Sequence, residues 1–270
     1  MGEPPIWVTV IVNRVLGNVA TALLAALHVK PSNPSYPIPN HISMEIFVFV
    51  LAALFFLWLK RNLSADRPGT AQLCMEMLLT NPMGVGVKDL IKDNLPHGGE
   101  KYLPMIGSIG IFVLFCNLIS VIPTLVSPTA NSSVPLGCAI IVFIYYNLSG
   151  VATKGPLGYA KHFLGPSIFL APLWVIVEIV SNLARLLSLT VRLWVNMMVS
   201  EMLYVIFLGL MLGLTIFVGK LNPAGYIFGV LPLVGPALFI LLHIVVAFLQ
   251  AFVFTILPVI YVAGAVEEGH

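Results

Sequence analysis

EIVSNLARLLSLTVRLWVNMMVSE, residues 178–201, sits inside an apolar stretch running from about Ile168 to Val218 and carries a fixed cation, Arg192, near its middle. A charged side chain at the bilayer centre costs roughly 2.5–3.5 kcal/mol on insertion scales, so it marks function before packing. The polar residues Glu178, Ser181, Arg185, Ser188, Arg192, Asn196 and Ser200 follow one another at steps of three or four. Helical residues three or four apart share a face. The stretch therefore predicts a membrane helix with one wet stripe, and such a stripe reads as an ion path.

Working outward, the whole chain fits a membrane. It is 59% hydrophobic and 9% charged, which excludes an ordinary soluble domain. The first apolar stretch lacks a basic n-region and a small-residue cleavage site, so no cleavable signal peptide is expected. Cys74, Cys116 and Cys138 have no metal-ligand spacing, and their odd count favours buried thiols over a disulfide framework. No Gly-rich phosphate loop or nucleophile elbow occurs, so no cofactor is called for. A net charge of +2 gives no reason to expect nucleic acid as a partner.

Six apolar segments can be read. Residues 7–28 form the first, interrupted by Asn13 and Arg14, with an interfacial helix as the alternative to a span. Residues 42–59 form a span ended by Lys60 and Arg61; residues 103–126, broken near Pro123, and 134–151 form two more. The last two segments, about 168–219 and 226–264, are far longer than the roughly 20 residues a bilayer needs. They predict long, strongly inclined helices forming a hairpin. Lys220-Leu221-Asn222-Pro223-Ala224-Gly225 supplies turn chemistry between them. Residues 71–92 predict a helix or helical pair on the inner surface. The expected fold is thus all-α, with about five membrane helices plus N-terminal and inner-surface amphipathic helices. Residues 1–40 form an outer or interfacial segment and residues 41–270 the membrane domain.

Lys and Arg set orientation. Segment 60–102 holds Lys60, Arg61, Arg67, Lys88, Lys92 and Lys101, and 152–165 adds Lys154 and Lys161. The other side has Arg14, Lys30 and Lys220. The N-terminus is therefore expected outside, and the tail Glu267-Glu268-Gly269-His270 inside.

In the final segment the polar side chains that matter are His243 and Gln250, seven apart and so on one helical face. In an antiparallel hairpin, residues at one depth have a nearly constant sum of residue numbers. Arg192 and Gln250 add to 442, Glu201 and His243 to 444, and half of either falls in the proposed turn. This predicts one polar layer of Arg192, Asn196 and Gln250, and a second of Glu201 and His243 about 13 Å outward at 1.5 Å per residue. Glu178 lies roughly 20 Å to the inner side of Arg192 by the same rise.

Residues 188–201, SLTVRLWVNMMVSE, resemble the signature of subunit a of the F-type ATP synthase membrane sector. So do LQAFVFTILPVIY at 249–261, NLISVIP at 117–123 and PTAN at 128–131. The resemblance runs from about residue 41 to the C-terminus. It implies rotary proton translocation beside a ring of small hairpin subunits (c-type), each bearing a membrane carboxylate, with a peripheral-stalk subunit (b-type) as a further partner. By the resemblance, Arg192 matches the essential arginine, Asn196 and Gln250 the residues beside it, Glu201 and His243 the outer half-channel pair, and Glu178 the inner half-channel acid. Ser181, Arg185, Ser188 and Ser200 complete the stripe. ATP chemistry itself would belong elsewhere in the complex. The coupling ion, H⁺ or Na⁺, is set mainly by ring ligands absent from this chain. The implied location is an energy-transducing membrane, a bacterial plasma membrane above all. The chain departs from the family at Val195, where LWVN at 193–196 replaces a common LFGN.

Each site residue also has a plainer reading. Arg192 could be a structural cation, His243 a satisfied interior histidine, Gln250 interhelical glue, Glu178 an interfacial charge and Arg185 a headgroup or Glu178 partner. Asn117 reads as packing. A rival function is a secondary transporter whose intramembrane arginine binds an anionic substrate; the lack of inverted repeats and of paired interrupted helices speaks against it.

Overall fold

The computed structural model describes residues 5–31, 33–65, 67–81, 86–95, 98–122, 125–164, 171–221 and 231–266. Among these, all regular structure is helical. The α-helices are α1 (Trp7–Ala26), α2 (Asn40–Arg61), α3 (Thr70–Leu79), α4 (Val87–Asn94), α5 (Leu103–Leu118), α6 (Ser133–Leu164), α7 (Ala171–Leu221) and α8 (Leu231–Val266). Hydrocarbon offers backbone groups no partner, so an apolar segment that crosses it must satisfy its own N–H and C=O groups as a helix. Among the described residues, six helices are long and apolar enough to cross: Trp7–Ala26, Asn40–Arg61, Gly99–Val121, Ser133–Tyr159, Ala171–Gly213 and Ala237–Val266. The chain is an all-α integral membrane protein.

The two last helices run unbroken for 51 and 36 residues. At 1.5 Å per residue each exceeds the ~30 Å of hydrocarbon, as the lack of turn residues inside them requires. Residues 222–225 of the expected turn, Pro123 and the tail 267–270 lie outside the described residues. The inner-surface pair expected within 71–92 appears as α3 and α4. Asn81 N–H donates to Asp89 Oδ2 over 3.0 Å, tying the end of one to the start of the next.

One boundary differs from expectation. The connection read at 152–165 is helical as far as Leu164, because α6 continues past residue 151. Its break comes later, at Gly155 (φ 72°, ψ 162°) before Pro156. Proline lacks an N–H and bars its predecessor from the α region. The extended ψ fits that restriction, and the positive φ beside it is open to Gly155 because glycine has no Cβ. The thiol expectation also needs adjusting: Cys116 and Cys138 are buried, but Cys74 is exposed.

The chain divides into two compact units. The first comprises residues 1–52, 114–131 and 194–249. In it the Trp7 ring meets Phe47 edge-on at 6.1 Å. Asn13, the polar interruption in the first apolar run, grips the backbone of Ile38 twice. Its Nδ2 donates to the carbonyl over 2.9 Å, and its Oδ1 accepts from the amide over 2.9 Å. Thr9 Oγ1 donates to Asn40 Oδ1 over 2.8 Å. The polar residues of α1 therefore fasten it to the start of α2. In the C-terminal part of this unit, Phe207 of α7 stacks on Phe239 of α8 at 4.2 Å.

The second unit comprises residues 53–113, 132–193 and 250–270. Its core includes Ile91, Ile106, Val113, Val142, Leu189, Leu193, Phe254 and Val259, all nearly inaccessible. α5 and α8 approach closely at Gly110, where an added Cβ would collide with Thr255 Oγ1. A similar approach at Gly150 lets the Tyr159 ring fold back onto α6. The Gly155–Pro156 break is what permits that return.

Candidate functional site

Burial divides the wet stripe of α7. Leu189, Leu193 and Met197, four residues apart, are 1%, 0% and 0% exposed and form its inward face. Ser188, Arg192 and Asn196, each one residue earlier and so about 100° around the helix, are exposed. Glu178, Ser181, Arg185 and Ser200 are half-buried. Arg192 thus stands on the outside of an apolar helix, its charge turned away from the chain's own core.

A polar cluster forms in the first unit. His243 is 8% exposed, and its ring is held on both edges. Nδ1 lies 2.7 Å from Ser200 Oγ. Nε2 lies 2.9 Å from Ser120 Oγ and 3.1 Å from the Asn117 carbonyl oxygen. Glu201 Oε1 accepts from the Ser127 amide over 2.9 Å. His243 and Glu201 line one cavity with Ser120, Val121, Tyr204, Phe239 and Ile240, of about 40 Å³. A water needs about 10–15 Å³ of such volume, so a few waters fit. The residue numbers of Ser200 and His243 add to 443, between the 442 and 444 of the expected layers. Glu201 is therefore within a turn of His243, on the register the sequence predicts.

The segment after α5 carries this cluster. Ser127 Oγ donates to the Cys116 carbonyl over 2.8 Å, and Thr129 Oγ1 donates to Asn117 Oδ1 over 2.6 Å. Trp194 Nε1 donates to the Ala130 carbonyl over 3.0 Å. A short irregular segment is thus pinned beneath Glu201. Ser120, Ser127, Thr129 and Trp194 were not singled out from sequence, and Asn117 was read as packing. The signal for Asn117, Ser120 and Thr129 is the pair of motifs at 117–123 and 128–131, and for Trp194 the motif at 188–201; these carry the resemblance without assigning roles, and Ser127 lies just outside them.

A second cluster occupies the second unit. Asn182 Nδ2 donates to Glu178 Oε1 over 3.1 Å and to its carbonyl over 2.9 Å. The Tyr146 hydroxyl donates to Asn182 Oδ1. Tyr159 OH donates to Asn147 Oδ1 over 2.8 Å. Arg185 lies over the Tyr261 ring, 5.4 Å from its centroid, a cation–π position. Tyr261 meets Tyr146 at 5.8 Å. Sequence reading found Glu178 and Arg185. It did not find the amide and phenol groups that hold them.

Gln250 stands apart. It is 1% exposed, and neither its Oε1 nor its Nε2 has a hydrogen-bond partner. No hydrogen bond therefore joins it to Arg192, which is exposed. The layer expected of Arg192, Asn196 and Gln250 is one of common depth, and the Gln250 amide takes no hydrogen bond within it.

Residues 42–263 match the model of the family described as ATP synthase A chain. The chain is 37% identical to an ATP synthase subunit a of Koribacter versatilis over 265 residues, covering 98% of each chain. It is 38% identical over 258 residues to one from Solibacter usitatus, covering 96% of this chain and 99% of the relative. A Sulfurihydrogenibium sp. subunit a is 39% identical over 231 residues, covering 86% and 99%.

Proposed function

The chain belongs to the ATP synthase subunit a family of the Fo membrane sector, and we propose that it is the proton-translocating stator of a rotary motor. On this reading Arg192 separates two offset half-channels. The observation that carries it is the exposure of a guanidinium on an apolar helix, between exposed Ser188 and Asn196. Such a charge needs a counter-charge from outside the chain. A ring of c-type hairpins, each bearing a membrane carboxylate, supplies one.

The chemistry follows from the residue type. A guanidinium stays charged at any pH met here. Beside a ring carboxylate it favours the ionised form, so a carboxylate passing Arg192 gives up its proton. It cannot pass a proton on, because it offers donors and no acceptor. Each elementary charge that crosses 100 mV releases about 2.3 kcal/mol, which biases rotation.

The cluster of His243, Glu201 and Ser200 with its cavity is the half-channel on the outer side. Histidine side chains change charge near neutral pH, which suits them to take up and return protons. The cluster of Glu178, Asn182 and Tyr146 belongs to the inner one. The place of Gln250 beside the ring rests on the resemblance alone, since the chain itself buries its amide. A b-type stalk subunit would complete the stator. The coupling ion is H⁺, with Na⁺ as the alternative that ring ligands decide. The bacterial origin of the relatives supports a plasma-membrane location, with the N-terminus outside and the C-terminus in the cytoplasm.

Arg192→Ala in the assembled complex tests the reading. ATP-driven proton pumping into vesicles should disappear while the complex still assembles. Arg192→Lys should also pump poorly, since an ammonium is a point charge that can lose its proton when desolvated. Normal pumping by Arg192→Ala would overturn the reading.

A further inference from the structure

Three contacts converge on the His243 ring, and their chemistry is not interchangeable. The Asn117 carbonyl oxygen, 3.1 Å from Nε2, can only accept. That contact is a hydrogen bond only if Nε2 carries a hydrogen. Ser120 agrees. Its hydroxyl donates to the same Asn117 carbonyl over 3.1 Å, so its oxygen is left to accept from Nε2, 2.9 Å away. The carbonyl is not free to turn aside. Asn117 is fully buried, and Thr129 holds its side chain over 2.6 Å. Nδ1 is then the nitrogen with an open lone pair, and the Ser200 hydroxyl at 2.7 Å is its donor.

We propose that His243 is locked as the Nε2–H tautomer and exchanges protons through Nδ1 alone, across the Ser200 hydroxyl. In the uptake step a proton binds Ser200 Oγ as the original Ser200 O–H bond breaks and an Nδ1–H bond forms. The serine ends as a neutral hydroxyl and the ring as an imidazolium. Release is the reverse. On the other edge the way is closed, because Nε2 already bears hydrogen and both groups behind it end at the Asn117 carbonyl: Ser120 could accept a proton from the ring only by giving its own hydrogen to that oxygen, which cannot take it. The ring is then a proton store with one door, not a bridge between two. The door faces outward: Ser200 is half-exposed, one helical turn beyond exposed Asn196. Glu201 and Tyr204, on the same helix, are the ionisable groups that share the ring's cavity.

The tautomer stands on hydrogen-bond geometry, whereas the Ser200 route also rests on the proton-path reading above. The experiment separates them. The complex is labelled with ¹⁵N-histidine, and the His243 signals are identified as those lost in His243→Asn. The neutral ring should show a protonated Nε2 and a bare Nδ1, and Ser200→Ala should move the Nδ1 signal chiefly. A neutral Nδ1–H ring would overturn the assignment, whatever the chain transports. In vesicles Ser200→Ala should pump about tenfold more slowly, the rate equivalent of one lost hydrogen bond, and Ser200→Thr should restore most of it. Pumping by Ser200→Ala at the unmodified rate would overturn the route. Failure of the proton-path reading would show separately, as normal pumping by Arg192→Ala.

Discussion

Arg192 and Gln250 show how one polar layer divides once burial is known. Both stand out in sequence because each interrupts an apolar run. The arginine is exposed, and the glutamine is 1% exposed with both amide atoms unpaired. A buried unpaired amide costs about 1–3 kcal/mol. Gln250→Leu should therefore hold or raise the thermal stability of the solubilised complex, by about 1 kcal/mol, while proton pumping falls. A clear loss of stability, followed by scanning fluorimetry in detergent, would mean that the amide has a partner. The same scale shows what sequence can find. Charged residues and His243 were legible because ionisable groups are rare in apolar helices. Ser120, Asn117 and Tyr146 were not, because hydroxyls and single amides in such helices are common interhelical glue. Only the fold brings Ser120 to Nε2 of a histidine 123 positions away.

Elements were legible wherever apolar length decided them. α2, α7 and α8 follow their apolar runs, and the Ser200–His243 contact keeps the register that residue numbers implied. What stayed hidden were features set by contact. Asn13 looked like an interruption of a span and is a clamp on Ile38. Gly110 carries no signal in the sequence, yet α5 meets α8 there, against Thr255. Thr255 Oγ1 cannot swing away cheaply, because it donates to the Ala251 carbonyl over 2.8 Å and its side chain is β-branched. Gly110→Ala should therefore destabilise the protein by about 1–3 kcal/mol through overpacking. Adding Thr255→Ala should recover part of that loss, because the two atoms that collide belong to this pair. Thermal unfolding of the two single variants and the double in detergent measures the coupling. Additive losses would show that the helices relax apart at Gly110.

At the scale of the whole molecule, the chain leaves much of its apolar surface uncovered. Of the most apolar part of α7, 6% is buried by the chain itself, against 44% for the span Gly99–Val121. Lipid covers the rest together with, on the proposed reading, the neighbouring ring. Charge predicts which side of the membrane each connection faces. Lys60, Arg61, Arg67, Lys88, Lys92 and Lys101 gather between α2 and α5, and Lys154 lies near the break in α6. Positive connections stay in the cytoplasm. A single cysteine at Lys92, which is exposed on α4, should then react with a membrane-impermeant thiol reagent only in inside-out vesicles. One at Asn131, exposed before α6, should react only in right-side-out vesicles. The background must lack Cys74, since that exposed thiol would react too. The two positions flank α5, so a single crossing separates them, and the pair reports orientation whether or not α1 spans. If both sites react from the same side, α5 does not cross. If both react from the sides opposite to those expected, the His243 cluster opens to the cytoplasm and the two half-channels exchange places.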